Sequence, residues 1–414
     1  MSLSQESKKH LLFIDSLRAL AAIYVVIHHA SLQYYDFDSD LKGARRVSIK
    51  LLEYGHSAVD LFIVLSGFSL MLSVTKNNHR LKGGILLFLK RRAIRILPTY
   101  YFAMALSLLL IWLFIGEKTG THWDAALPVT FNSIITHLFL VHDFFSSTFA
   151  RINHSFWSIS VEFRIYLLFP LLIWLWRKYS PLFALLTAVV LSFIGLGMLL
   201  TWHSYYPDIM LNSAGVTPYL ISFTLGMMAT DLSFSTSARA IKARKYYADS
   251  TLMKRAIITA IYLVAFVLFR LLVKLPFLRE ENVHRHLQDD VNDIFLGVLF
   301  ATILFIFSIA KPSDKLAYQV VKMLNWPPLV FTGTFSYSIY LVHAPLLQLL
   351  SQYVLLPLHI DAFYSCWLLI LLGTPLIILF SYFFFTLFER QFLTMRKKES
   401  LVALELDAVN NPAP

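Results

Sequence analysis

Ten stretches of roughly 17 to 25 mostly apolar residues, the length a helix needs to cross about 30 Å of hydrocarbon, run through this chain of 414 residues. They cover about 11–31, 56–75, 95–116, 156–176, 181–201, 215–231, 256–275, 291–310, 329–350 and 363–388. Backbone polar groups must be satisfied internally in lipid, so such a pattern leaves few folds open. The expectation is an all-α, polytopic membrane helix bundle of about ten spans. A composition of 57% hydrophobic and 15% charged residues excludes an ordinary soluble domain. An eleventh apolar piece, residues 134–145, is too short and too rich in histidine to span, and reads as interfacial or re-entrant. The polar opening MSLSQESKKH precedes a long apolar stretch with no small-residue cleavage site, so the first span is expected to be retained.

An even number of spans puts both termini on one side. Of the 36 lysines and arginines, 24 fall in the terminal segments and alternate loops that share the N-terminus, and 8 in the opposite loops. The positive-inside rule therefore places both termini in the cytoplasm. The same distribution explains the net charge of +11 as membrane orientation, and no nucleic-acid partner is expected. With Cys366 as its single cysteine the chain can form no internal disulfide, and a thiolate metal site is not expected.

Ionisable groups inside spans are costly and mark function more often than packing. In IDSLRALAAIYVVIHHA, Arg18 and His29 are eleven residues apart, which returns them to one helical face about 16 Å apart along the axis. A plainer reading is an arginine paired with Asp15 below an interfacial histidine. The second span opens with His56 and Asp60 on one face, followed by the small Ser66-Gly67 step. Lys90, Arg91, Arg92 and Arg95 crowd the cytoplasmic edge of the third span, as an orientation signal, a contact for anionic membrane lipids, or a phosphate clamp for a nucleotide-type donor. The fourth span carries Trp157, Glu162 and, one turn below it, Tyr166, while Arg164 projects from a different face; a structural Glu–Arg pair between helices is the alternative. The ninth carries Ser336, Tyr337, Tyr340 and His343, alternatively an aromatic belt ending in a histidine. In the expected topology Asp60, Glu162, His343 and His29 lie toward the outside, and Arg92 and Arg95 at the inner edge.

Taken together, IDSLRALAAIYVVIHHA, AVDLFIVLSGF, FLKRRAIRILPTYY, FWSISVEFRIYLLFP and SYSIYLVHAPLL resemble the membrane acyltransferase-3 family, in this order from about residue 11 to 390. The resemblance implies one transmembrane acyltransferase domain over residues 1–390 and a short cytoplasmic tail at 391–414. It implies an acyl group, usually acetyl, moved from cytoplasmic acetyl-CoA or another acyl-CoA to a hydroxyl of an extracytoplasmic glycan or glycolipid, in a multi-pass protein of the inner, cytoplasmic membrane. Arg18 and His29 match the family's Arg-ten residues-His signature, Arg92 and Arg95 its donor-associated Arg-x-x-Arg, and Glu162 the Glu of Trp-Ser-x-Ser-x-Glu. Two departures stand out: Glu162-Phe163-Arg164 where Glu-Glu-Gln is common, which could alter the acceptor site, and Glu389-Arg390-Gln391 where Glu-x-Pro is common. Some relatives carry a fused serine-hydrolase-like domain; here such an enzyme is expected to be a separate partner.

Acyl transfer to a hydroxyl needs a base, a stabilised oxyanion and a grip on the donor. The expected assignment is His29 as base, Glu162 or Asp60 orienting it, and Arg18 at the oxyanion or thioester. Arg92 and Arg95, with Arg91 and Lys90, would bind the donor, and His343, Tyr340, Tyr337 and Trp157 the acceptor. No metal is expected. Other readings of the same residues are export of a polysaccharide intermediate, a succinyl or other acyl donor, a non-glycan hydroxyl, and a covalent acyl-His29 relay.

Overall fold

The computed structural model describes residues 11–34, 42–210, 218–251, 254, 259, 261–268 and 281–393. Its elements are helical, and eight of the described helices are long and apolar enough to cross a membrane. The chain is thus an all-α polytopic membrane protein. All eight fall on expected spans. The sixth expected span corresponds to a shorter helix, Tyr219–Phe234; residues 215–217 of that span, most of the seventh span and the terminal segments 1–10 and 394–414 lie outside the described residues.

The chain divides into two compact units. The first takes Asp60–Arg80 and Leu171–Met323, and the second takes Leu12–Val59, Leu81–Pro170 and the described residues 324–393. The helices, in chain order, are α1 (Phe13–Leu32), α2 (Gly43–Lys50), α3 (His56–Thr75), α4 (Gly84–Leu110), α5 (Phe131–Leu138), α6 (Trp157–Lys178), α7 (Pro181–Tyr205), α8 (Tyr219–Phe234), α9 (Ala238–Asp249), α10 (Glu281–Ile309), α11 (Lys315–Leu324), α12 (Pro327–Gly333), α13 (Ser336–Leu350), α14 (Ala362–Leu368) and α15 (Thr374–Phe384).

In the first unit α8 packs against α7, α9 and α10. Without a hydrophobic drive between helices in lipid, small residues that admit close backbone approach hold such contacts together. A Cβ on Gly67 would lie 2.0 Å from the Phe223 carbonyl oxygen, and one on Gly226 would lie 2.1 Å from that of Val64. The Ser66-Gly67 step read from the sequence is therefore one half of a reciprocal glycine contact. Asp60 belongs to this unit, fully buried, and interacts electrostatically with Asp293.

In the second unit α1 packs against α12, α13 and α15, and α13 against α4 and α15. The expected ninth span, 329–350, is in fact two helices broken at Thr334 and Phe335. The break lets Gly333 press on α1, where a Cβ would lie 1.9 Å from the Asp15 carbonyl oxygen. The expected third span starts eleven residues too late: its basic cluster lies within α4, not before it, because the helix continues past the apolar stretch. Helices of this unit also widen locally into π-type turns at Ile111–Ile115, Ser351–Leu355, Leu369–Gly373 and Phe385–Glu389, features that recur near functional sites. The histidine-rich piece 134–145 does not span. It forms α5, capped by reciprocal Thr130 and Ser133 hydrogen bonds, and a short turn at His142–Phe144.

Candidate active site

The second unit encloses a cluster of imidazoles around His29. The ring of His29 lies 4.6 Å from that of His154, 5.1 Å from His343 and 5.8 Å from His122. His29 Nδ1 and His154 Nε2 are 3.1 Å apart, so one proton is shared between them. His28, next in the chain, turns elsewhere: its Nδ1–H donates to the Leu52 carbonyl at 2.7 Å, and its ring fills the space left by the missing side chain of Gly55.

Each member is held by its own surroundings. His343 Nδ1–H donates to the Tyr340 carbonyl one turn back at 2.7 Å, which directs Nε2 away from its helix. His122 sits in a short turn, His122–Ala126, whose neighbour Trp123 is fully buried in an apolar cluster with Ile111, Ile115, Leu127 and Ala344. Asp124 accepts from the Thr119 and Gly120 amides at 2.9 Å each, and Gln348 of α13 binds Thr119 and Thr121, so the turn is tied to the helix that carries His343. His154 is flanked by Asn153, which donates to the Leu341 carbonyl at 3.1 Å and accepts from the Ser155 hydroxyl at 2.7 Å. Burial, and then the neighbouring imidazoles of His122, His343 and His28, push His154 well below its ordinary pKa.

A second polar group in the same unit collects the arginines. Arg18 is paired with Asp15 at 2.8 Å, as the plainer reading expected, and also interacts electrostatically with Arg95 and Tyr166. The Arg92 guanidinium carbon lies 5.8 Å from the ring centres of both Tyr166 and Phe88. Tyr166 donates its hydroxyl proton to Glu162, and Glu389, almost fully buried, accepts from Ser338 at 2.5 Å and faces the charge of Arg95. Tyr337 interacts with both carboxylates and donates to the Ile96 carbonyl at 3.2 Å. Tyr340 meets Ser158 at 2.6 Å and donates to the Ser155 carbonyl at 2.9 Å. Along α13, therefore, Tyr337, Tyr340 and His343 form one stripe from the arginine group to the imidazole group. Trp157 stacks with His56 at 5.6 Å and 10°. Arg91 is spent on the Lys82 carbonyl at 3.2 Å, and Lys90 is exposed.

Several expectations change at this level. The side chain hydrogen-bonded to His29 is His154, whereas Glu162 is engaged by Tyr166 and Asp60 lies in the first unit. Arg164 projects from a different face from Glu162, as expected, since two residues along a helix put side chains on nearly opposite faces. It forms a two-pronged pair with the fully buried Asp143, donates to the Leu140 carbonyl at 3.1 Å, and lies 4.5 Å from the Phe144 ring centre. The departure at Arg164 is thereby a fastening for the segment 140–144. His122 and His154, which the fold brings beside His29, and Glu389, which it brings to Ser338, were not among the candidate residues read from the sequence. The available signal was that both histidines fall in loops on the same side of the expected topology as His29.

Beside Arg164, His137 and His142 stack at 3.7 Å and 11°. Burial holds His137 down at about 4 despite hydrogen bonds that favour its charged form. Burial, and then the charges of His137 and Arg164, hold His142 well below its ordinary range. Depressed folded-state values mean that below about pH 6.5 the unfolded state takes up protons that the folded state refuses. Thermal stability is therefore expected to be constant above about pH 7 and to fall on acidification toward pH 4, by up to about 1.4 kcal/mol per pH unit for each histidine. Melting His142→Phe across that range checks this: the variant should show a shallower slope, and an unchanged slope would refute the assignment.

Comparison with known proteins identifies the family. A family model described as an acyltransferase domain matches residues 11–386. The O-acetyltransferase OatA of Staphylococcus aureus strain NCTC 8325 / PS 47 is 26% identical over 352 residues, 84% of this chain and 52% of that protein. The peptidoglycan O-acetyltransferase OatA of Listeria monocytogenes serovar 1/2a is 26% identical over 356 residues, 83% of this chain and 50% of that protein. The chain thus spans about half the length of the curated relatives it matches. No solved structure matches. With the family model covering nearly the whole chain and its signature residues gathered in one unit, the protein belongs to the membrane acyltransferase-3 family.

Proposed function

We propose that the protein is an O-acetyltransferase of the inner, cytoplasmic membrane, with both termini in the cytoplasm, that moves acetyl from cytoplasmic acetyl-CoA to a hydroxyl of an extracytoplasmic glycan or glycolipid. The observation that carries this reading is the pair of polar groups in one unit, guanidiniums at one end of the α13 stripe and imidazoles at the other. The names of the two relatives, both O-acetyltransferases and one of peptidoglycan, point the same way.

Arg92 and Arg95, with Arg18 beside them, suit the phosphates of an acyl-CoA, since guanidiniums grip phosphate oxygens in a bidentate manner. Glu389 and Glu162 restrain this group through Arg95 and Tyr166. With Nδ1 of His29 engaged by His154, Nε2 takes the proton of the acceptor hydroxyl. The oxygen attacks the thioester carbonyl, the C–O bond forms as the C–S bond breaks, and the proton passes from His29 to the departing CoA sulfur. Arg18 stabilises the oxyanion or positions the thioester. The stacked Trp157 and His56 offer an aromatic face to a sugar ring, and Tyr340, Tyr337 and His343 line the acceptor's path. A separate extracytoplasmic enzyme is the proposed partner.

Labelled acetyl-CoA supplied to vesicles containing the protein and a glycan acceptor tests the reading. Labelled, base-labile ester on the glycan is expected, with Arg95→Ala raising the KM for acetyl-CoA by about 10- to 100-fold, the worth of lost charge-assisted hydrogen bonds. Glycan export without label incorporation would reject it.

A further inference from the structure

The imidazole group holds more nitrogen ligands than proton transfer requires. One nitrogen from each of His29, His122 and His154 lies within 4.8 Å of the other two. His343 Nε2, on a fully buried side chain whose Nδ1 is used by its own helix, has no hydrogen-bond partner among the described residues, and its ring is 5.1 Å from that of His29. We propose that His29, His122 and His154, with His343 Nε2 as the fourth ligand, bind one borderline transition-metal cation, Zn2+ being the reference ion.

The donor set and its spacing argue for this. Zinc–nitrogen bonds of about 2.0–2.1 Å in a tetrahedron put nitrogens about 3.3 Å apart. His29 Nδ1 and His154 Nε2, at 3.1 Å, already have that spacing. His122 closes the remaining distance by side-chain rotation. All-imidazole sites select Zn2+, Cu2+ or Ni2+, while Mg2+ and Ca2+ require oxygen ligands. The single cysteine argued against a thiolate site, but these ligands come from four segments that only the fold brings together.

The ligands are also pre-positioned. The anchors on the His122 turn and on His154 are set by groups outside the cluster: Trp123, Asp124, Gln348 and Asn153. Little ordering remains to oppose binding. A cation on His29 Nδ1 leaves the ring's proton on Nε2, where the imidazole can no longer accept one. The ion therefore inhibits acyl transfer. This last clause rests on His29 being the base, whereas binding itself does not.

Titration of the metal-stripped full chain, without a polyhistidine tag and in detergent, with Co2+ and then Zn2+ tests the site. One Co2+ per chain with the intense visible absorption of tetrahedral nitrogen coordination, displaced by one Zn2+, is expected. His122→Gln and His154→Gln should each weaken binding by about 100-fold or more, beyond the 10- to 100-fold typical of losing an outer-shell partner. His359→Gln, at an exposed position, should leave it unchanged. Absence of stoichiometric binding, an octahedral Co2+ spectrum, or undiminished binding in both cluster variants would overturn the proposal. Zn2+ is further expected to slow acetyl transfer at least tenfold, reversibly by chelator. Binding without inhibition would support the cation site and count instead against His29 as the base.

Discussion

Replacing His29 by alanine is expected to lower acetyl transfer by about 10²- to 10⁴-fold, the contribution of a well-placed general base. Insertion and thermal stability should be nearly unchanged, because His29 lines the cluster without filling an apolar core position. His28→Ala makes the sharper comparison. That ring is wedged against Gly55 and bonded to the Leu52 carbonyl, so its loss should lower the melting temperature while transfer persists. Labelled acetyl incorporation in vesicles and melting in detergent separate the two effects. Wild-type incorporation by His29→Ala, or loss of transfer in His28→Ala with His29→Ala active, would defeat the assignment.

Arg164→Ala is expected to be among the most damaging substitutions to stability. It strands the carboxylate of Asp143, which is fully buried, and removing one partner of such a pair costs about 3–5 kcal/mol. Burial already lifts the Asp143 carboxyl above its usual range, and Arg164 draws it back. The double substitution Asp143→Leu, Arg164→Met should recover most of the loss, since it leaves no buried charge unmatched. Thermal melts of the single and double variants decide this. Equal melting temperatures for wild type and Arg164→Ala would show that the pair does not fasten the segment.

The helical class and eight of the ten expected spans were legible because hydrocarbon thickness dictates both length and polarity. Their ends were not, since helices such as α4 run on past the apolar stretch and the break before α13 answers to Gly333 meeting a neighbouring backbone. At the site, Arg18 with Asp15 and Tyr340 with His343 were readable because a helix turns sequence spacing into geometry. His122 and His154 were not, because their positions are set by loops fastened through Arg151, Asp124 and Asn153, and no periodicity governs a loop. Glu389 looked like a mere departure at a helix end until the wide turn at Phe385–Glu389 placed it on Ser338.

The partnership of α1 with α13 also sets a schedule for biosynthesis. Tyr34 at the end of α1 and Ser351 just beyond α13 are hydrogen-bonded across 317 residues of chain, and His29 meets His343 over nearly the same interval. The first helix enters the bilayer while most of its eventual neighbours are still unmade, and contacts of such long range form late. The cluster therefore cannot exist on a partly translated chain. A ribosome stalled anywhere before α13 leaves an inserted but chemically silent fragment, so competence arrives in a single late step of synthesis.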